Sequence, residues 1–109
     1  MKYGQTDRFK GDIRRLSDDD KKLFAEVVRK KFIPAAERTA ASKGQGRWPA
    51  SLRVKGVEGA PGIWEMTWSF SGPDGRATFE WRDFDGQPGI FWRRVGGHEI
   101  FSEPTGETK

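Results

Sequence analysis

The chain has 109 residues, enough for one small domain and too few for two ordinary ones. It holds no cysteine, which excludes disulfides, thiolate metal sites and cysteine nucleophiles. Lys and Arg number 20 against 16 acids, a formal net charge of +4, so a polyanion or an acidic protein is the favoured partner.

The mean hydropathy is −0.81, yet five Trp and eight Phe supply a core, each aromatic burying on the order of 150–250 Å². The opening "MKYGQTDRFK" has no apolar run of signal-peptide type, and no later stretch approaches a membrane span. The expectation is a cytoplasmic protein with no membrane partner. "TDRFKGDIRRL" sets Phe9, Ile13 and Leu16 on one helical face, with Thr6 or Asp7 as the cap. "SDDDKKLFAEVVRKKF" follows, with Ser17 as N-cap, three acids in the first turn, and Leu23, Phe24, Val27, Val28 and Phe32 as the buried stripe. Pro34 is expected to break or kink this helix after Phe32, although "AAERTAA" suits another turn or two. The helices' outer faces are basic, and contacts with ribosomal RNA are one use for them.

"SKGQGRWP", residues 42–49, reads as a loop, and Trp48 beside Pro49 is the best candidate for an exposed ring. From there the period becomes alternating. "SLRVKGV" alternates apolar with basic. "GIWEMTWSF" sets Trp64, Met66, Trp68 and Phe70 against Glu65, Thr67 and Ser69. "SGPDG" and "DGQPG" are turns. "RATFEWRDF" puts Ala77, Phe79 and Trp81 inward, and Arg76, Thr78, Glu80 and Arg82 outward. "IFWRRVGGHEIF" reads as the last strand, and "SEPTGETK" as a loose polar tail. Two helices and then a meander of antiparallel strands is an α+β plan with the helices on the apolar sheet face. The opposite face carries Arg53, Lys55, Glu65, Thr67, Arg76 and Arg82. A solvated polar face is ordinary for an antiparallel sheet; one so rich in arginine points to a function.

Three motifs in order resemble the RelE/ParE superfamily of type II toxin–antitoxin toxins. They are "GIWEM" at Gly62 to Met66, "GRATF" with Arg76, and the closing "RRVGGHEIF" with His98. The match spans residues 7–104, and "LRVKGVEGAPGIWEMTW" is similar to actinobacterial members. The resemblance implies one domain over residues 1–104, with 105–109 as tail: an N-terminal two-helix hairpin packed on a curved antiparallel sheet of about four strands. It implies a ribosome-dependent mRNA endonuclease or a gyrase poison, neutralised by an antitoxin. RelE-like nucleases carry two basic residues where this chain has Glu65 and Thr67, and several members have a C-terminal Tyr where this chain has Phe101. A site of Glu, Arg and His, as in relatives with a carboxylate and a histidine, fits better.

Cleaving RNA through its 2′-OH requires a proton acceptor, a proton donor for the leaving 5′-oxygen, and positive donors for the phosphorane. Histidine changes charge near neutral pH, so His98 is the candidate acid or base. Glu65 is the general base or orients His98, in competition with an ion pair to Arg76 worth only about 0.2–1 kcal/mol. Arg76 can bind two phosphate oxygens at once, which lysine does less well. Arg53, Lys55, Arg82 and Arg94 are candidate RNA contacts. Arg93 and Arg94 are neighbours and point to opposite faces, and alternation does not say which one meets the site. With one His, no Cys and scattered acids, neither a metal nor a cofactor is expected. The partners expected are an antitoxin and mRNA on the ribosome. The rivals are a ParE-like gyrase inhibitor, which would need neither His98 nor Glu65, and a non-catalytic RNA- or protein-binding module.

Overall fold

Thr6 begins the helical part of the chain. The computed structural model describes residues 1–42, 48–69 and 74–106. In it, the Thr6 Oγ1 caps α1 (Asp7–Arg15) by accepting the Phe9 N–H at 3.0 Å, and it donates to the Arg93 carbonyl at 2.7 Å. One hydroxyl thus satisfies a helix end and ties it to a distant strand. Thr6→Ala is expected to cost about 1–2 kcal/mol in urea unfolding, with Thr6→Ser losing less than half of that. Equal losses for the two variants would show that the methyl group, not the hydroxyl, matters.

Ser17 caps α2 (Asp18–Val27) through Asp20 N–H at 3.1 Å, as its sequence suggests. The expected break at Pro34 does not occur. The helix passes through one π turn (Val28–Phe32) into α3 (Ile33–Ala41), which holds Pro34 in its first turn. The Ile33 N–H reaches back five residues to the Val28 carbonyl. This wider turn relieves the clash that a proline ring makes with the carbonyl four residues back, so the chain continues without a break.

Phe32, in the π turn, is fully buried among the rings of Trp92 (4.8 Å between centroids), Phe79 (5.0 Å) and Trp48 (5.0 Å). Trp48 is therefore packed on the core rather than exposed. The exposed tryptophan among the described residues is Trp64, 38% accessible, with Gly56 of a two-residue strand beside it. Leu23 also lies outside the buried stripe, whereas Phe24 and Phe32 lie within it.

The sheet corrects the expected fold in two ways. It has five strands, not about four, and it is mixed. The order is β1-β5-β4-β3-β2, with β1 (Lys2–Gln5), β2 (Lys55–Gly56), β3 (Trp64–Ser69), β4 (Gly75–Phe84) and β5 (Gln87–Gly96). β1 precedes the helices and runs parallel to β5. "KYGQ" has no alternation of its own, so only its pairing makes it a strand. "SLRVKGV" gives mainly a 3₁₀ turn (Ala50–Leu52) and the short β2. The β4–β5 hairpin turns through Asp85 and Gly86, with φ of 54° and 87°. A two-residue turn with positive φ at both positions is what "DG" favours. Residues 70–73 of the other expected turn and 43–47 of the expected loop lie outside the described residues.

Ala77, Phe79 and Met66 join the helices in the core, which leaves Thr67, Arg76 and Thr78 on the opposite face. β5 ends at Gly96, and His98–Ser102 form a 3₁₀ turn instead of more strand. Residues 103–106 then cross the polar face. Thr78 Oγ1 donates to the Pro104 carbonyl at 2.7 Å, and Arg93 Nε donates to the Thr105 carbonyl. Gly106 is buried, so this part of the expected loose tail is packed.

Candidate RNA-binding and catalytic face

Strand register decides which candidate residues meet. Glu65 lies opposite Thr78, and Arg76 lies opposite Thr67, so Glu65 and Arg76 are diagonal neighbours on the polar face, about 7–8 Å apart. Arg76 also pairs with Gly96, and the chain leaves β5 there; His98 follows two residues later, exposed, with its ring edge-on to Phe101 at 5.2 Å. Arg76 and the stretch leading to His98 therefore lie at the end of the sheet where β4 begins and β5 stops, and Glu65 is one diagonal step inward from Arg76.

Glu65 does not pair with Arg76. Its ion pair is with Lys55 of β2 at 4.0 Å, and its side chain is 13% exposed. Arg76, 17% exposed, takes its orientation from Asp74: Nη2 lies 3.3 Å from Asp74 Oδ2, while Nη1 donates to the Gly75 carbonyl at 3.4 Å. The Arg76 backbone is pinned in turn, because Trp68 Nε1 donates to its carbonyl at 2.9 Å. Asp74 was not among the sequence candidates. Its signal was present in "DGR", an acid two residues before the arginine, but that acid reads equally well as turn chemistry.

The other candidates disperse. Lys55 stays beside Glu65 and is well exposed. Arg53 ends the 3₁₀ turn in a left-handed conformation with φ of 46° and an exposed side chain. Arg82 lies six residues from Arg76 along β4, about 20 Å away at strand rise. Arg94 is 6% exposed and committed to Asp12: Nε to Oδ2 at 2.6 Å and Nη2 to Oδ1 at 3.1 Å. Its Nη1 donates to the Glu103 carbonyl at 3.2 Å. Arg93 is 4% exposed and bonded to Glu80 and Thr105. Register shifts at this point of the β4–β5 ladder, which is why simple alternation left the two arginines ambiguous.

A cleft of about 540 Å³ opens between the α1–α2 turn and the ends of β3 and β5, with Asp20, Trp68, Asp74 and Glu99 in its wall. Asp74 thus borders both this cleft and Arg76. Among the described residues, no three His, Cys, Asp or Glu side chains gather into a metal-holding group, and no helix is long and apolar enough to cross a membrane.

No family model matches the sequence, and no curated protein matches it. Among solved structures, the chain is similar to E. coli toxin RelE, determined as an arginine-to-alanine double mutant in the free state. The TM-score is 0.53 at 15% identity, over 94% of this chain and 90% of that one. The chain has a RelE-like fold.

Proposed function

We propose that the protein is the toxin of a type II toxin–antitoxin system, a ribosome-dependent mRNA endonuclease that works in the cytoplasm and is held inactive by an antitoxin over its polar face. The observation that supports this reading is that, in a RelE-like fold, Arg76 lies diagonal to Glu65 and pairs with Gly96, two residues before His98. Arg76 offers a guanidinium to two oxygens of the scissile phosphate, and Asp74 orients it. Glu65 takes the 2′-OH proton, and until RNA arrives its carboxylate is paired with Lys55. His98, on the exposed turn, donates the proton to the leaving 5′-oxygen. Phe101 has no proton to give, so it supports the His98 ring without replacing it. Lys55 and Arg53 lie toward the β2 edge, where a backbone phosphate of the same strand would pass. Arg94 serves the fold in this reading, not the RNA.

Mapping mRNA 5′ ends after brief induction tests this. The wild type should create new in-frame ends, and an Arg76→Ala/His98→Ala double mutant should create none. Growth arrest without new ends would remove the endonuclease reading and direct attention to gyrase. No arrest would leave a binding module.

A further inference from the structure

The hairpin end of the polar face carries a feature that the catalytic reading does not use. Glu80 and Arg82 of β4 lie opposite Phe91 and Gly89 of β5. The Arg82 guanidinium carbon sits 3.6 Å from the centroid of the Phe91 ring. Its edge is bonded to Glu80, and Glu80 also takes Arg93 Nη1 at 3.3 Å. Since Arg93 is itself buried, Glu80 is anchored and the guanidinium is held in place. Two glycines make the space. The Phe84 ring occupies the volume a side chain at Gly89 would need, and a Cβ on Gly4 would fall 2.8 Å from the Phe91 ring. Both rings therefore lie close against backbone. The Arg82 side chain remains 43% exposed.

The phenyl ring takes one face of this guanidinium and the carboxylate takes its edge. What remains is a flat, cationic π face, which suits a flat aromatic partner. For a chain of net charge +4, the flat partner that arrives with opposite charge is a base on its phosphate strand. We propose that the Arg82–Phe91 stack, held by Glu80, is a platform for one unpaired base of a single-stranded RNA. This rests on the preceding reading only for RNA as the polyanion. It is a subsite separate from Arg76, because residues 103–106 cross the face at Thr78, between the two arginines.

The test measures binding of a short oligoadenylate and of an abasic ribose-phosphate strand of equal length and charge. The wild type is expected to prefer the oligoadenylate. Arg82→Lys keeps the charge but loses the plane, and it should reduce that preference about five- to tenfold; Phe91→Leu should do the same. If Phe91→Leu fails to fold, the surface variant Arg82→Lys carries the test. An undiminished preference in Arg82→Lys, or no preference in the wild type, overturns the platform. The 5′-end mapping separates the two claims. A protein that makes new ends without preferring bases loses only the platform, and one that prefers bases without making ends loses only the endonuclease.

Discussion

Asp12→Ala is expected to lower the unfolding free energy by about 3–5 kcal/mol, the usual cost of stranding a buried charge. Asp12 is 5% exposed and Arg94 is 6% exposed. The carboxylate accepts from Arg94 twice, from the Val95 backbone N–H at 3.2 Å and from Arg15 at 3.2 Å. Alanine removes all four acceptor contacts and leaves a guanidinium and a backbone N–H without them between α1 and β5. Urea unfolding measures the loss, and the melting temperature should fall by at least about 10 °C for a chain of this size. An Asp12→Leu/Arg94→Met double mutant should recover much of the stability, because well-packed apolar residues often replace a buried ion pair at little cost. A loss under about 1 kcal/mol for Asp12→Ala would mean that Arg94 swings out to water and that the pair does not hold α1 in place.

Arg76→Ala is expected to slow ribosome-dependent mRNA cleavage by about 10²–10³-fold, the effect of removing one main donor to a developing oxyanion. Arg76→Lys should recover only part of the rate, because an ammonium cannot hold two phosphate oxygens in one plane. Stability should change by less than about 1 kcal/mol, since the Arg76–Asp74 pair is partly open to solvent. Single-turnover cleavage on programmed ribosomes, alongside urea unfolding, separates the two effects. Full activity in Arg76→Lys would remove the bidentate clamp. Full activity in Arg76→Ala would remove Arg76 from the site.

Ser17 and its three following acids mark a helix start, and Asp85-Gly86 marks a hairpin, because caps and tight turns are set within three or four residues. The alternation in "RATFEWRDF" places Phe79 inside and Arg76 outside for the same reason: a strand's period is two, whatever it pairs with. The pair of tryptophans was not legible. Trp48 is inside because the π turn and β4 bring Phe32 and Phe79 to it, and Trp64 is outside because its neighbouring strand is two residues long.

Local pattern by itself determined the α+β plan, the helix starts, the hairpin and the face that carries Arg76, Glu65 and Arg82. Tertiary structure decided the rest. It recruited "KYGQ" as a parallel strand, passed the helix through Pro34 in a π turn, and laid residues 103–106 across the polar face. It also divided the arginines, sending Arg94 to an aspartate 82 positions away and Arg82 onto a phenyl ring. The physical reason is the range of the interactions involved. Backbone periodicity and capping act between near neighbours, whereas a charged side chain takes its role from the opposite charge that the finished fold places within hydrogen-bonding distance.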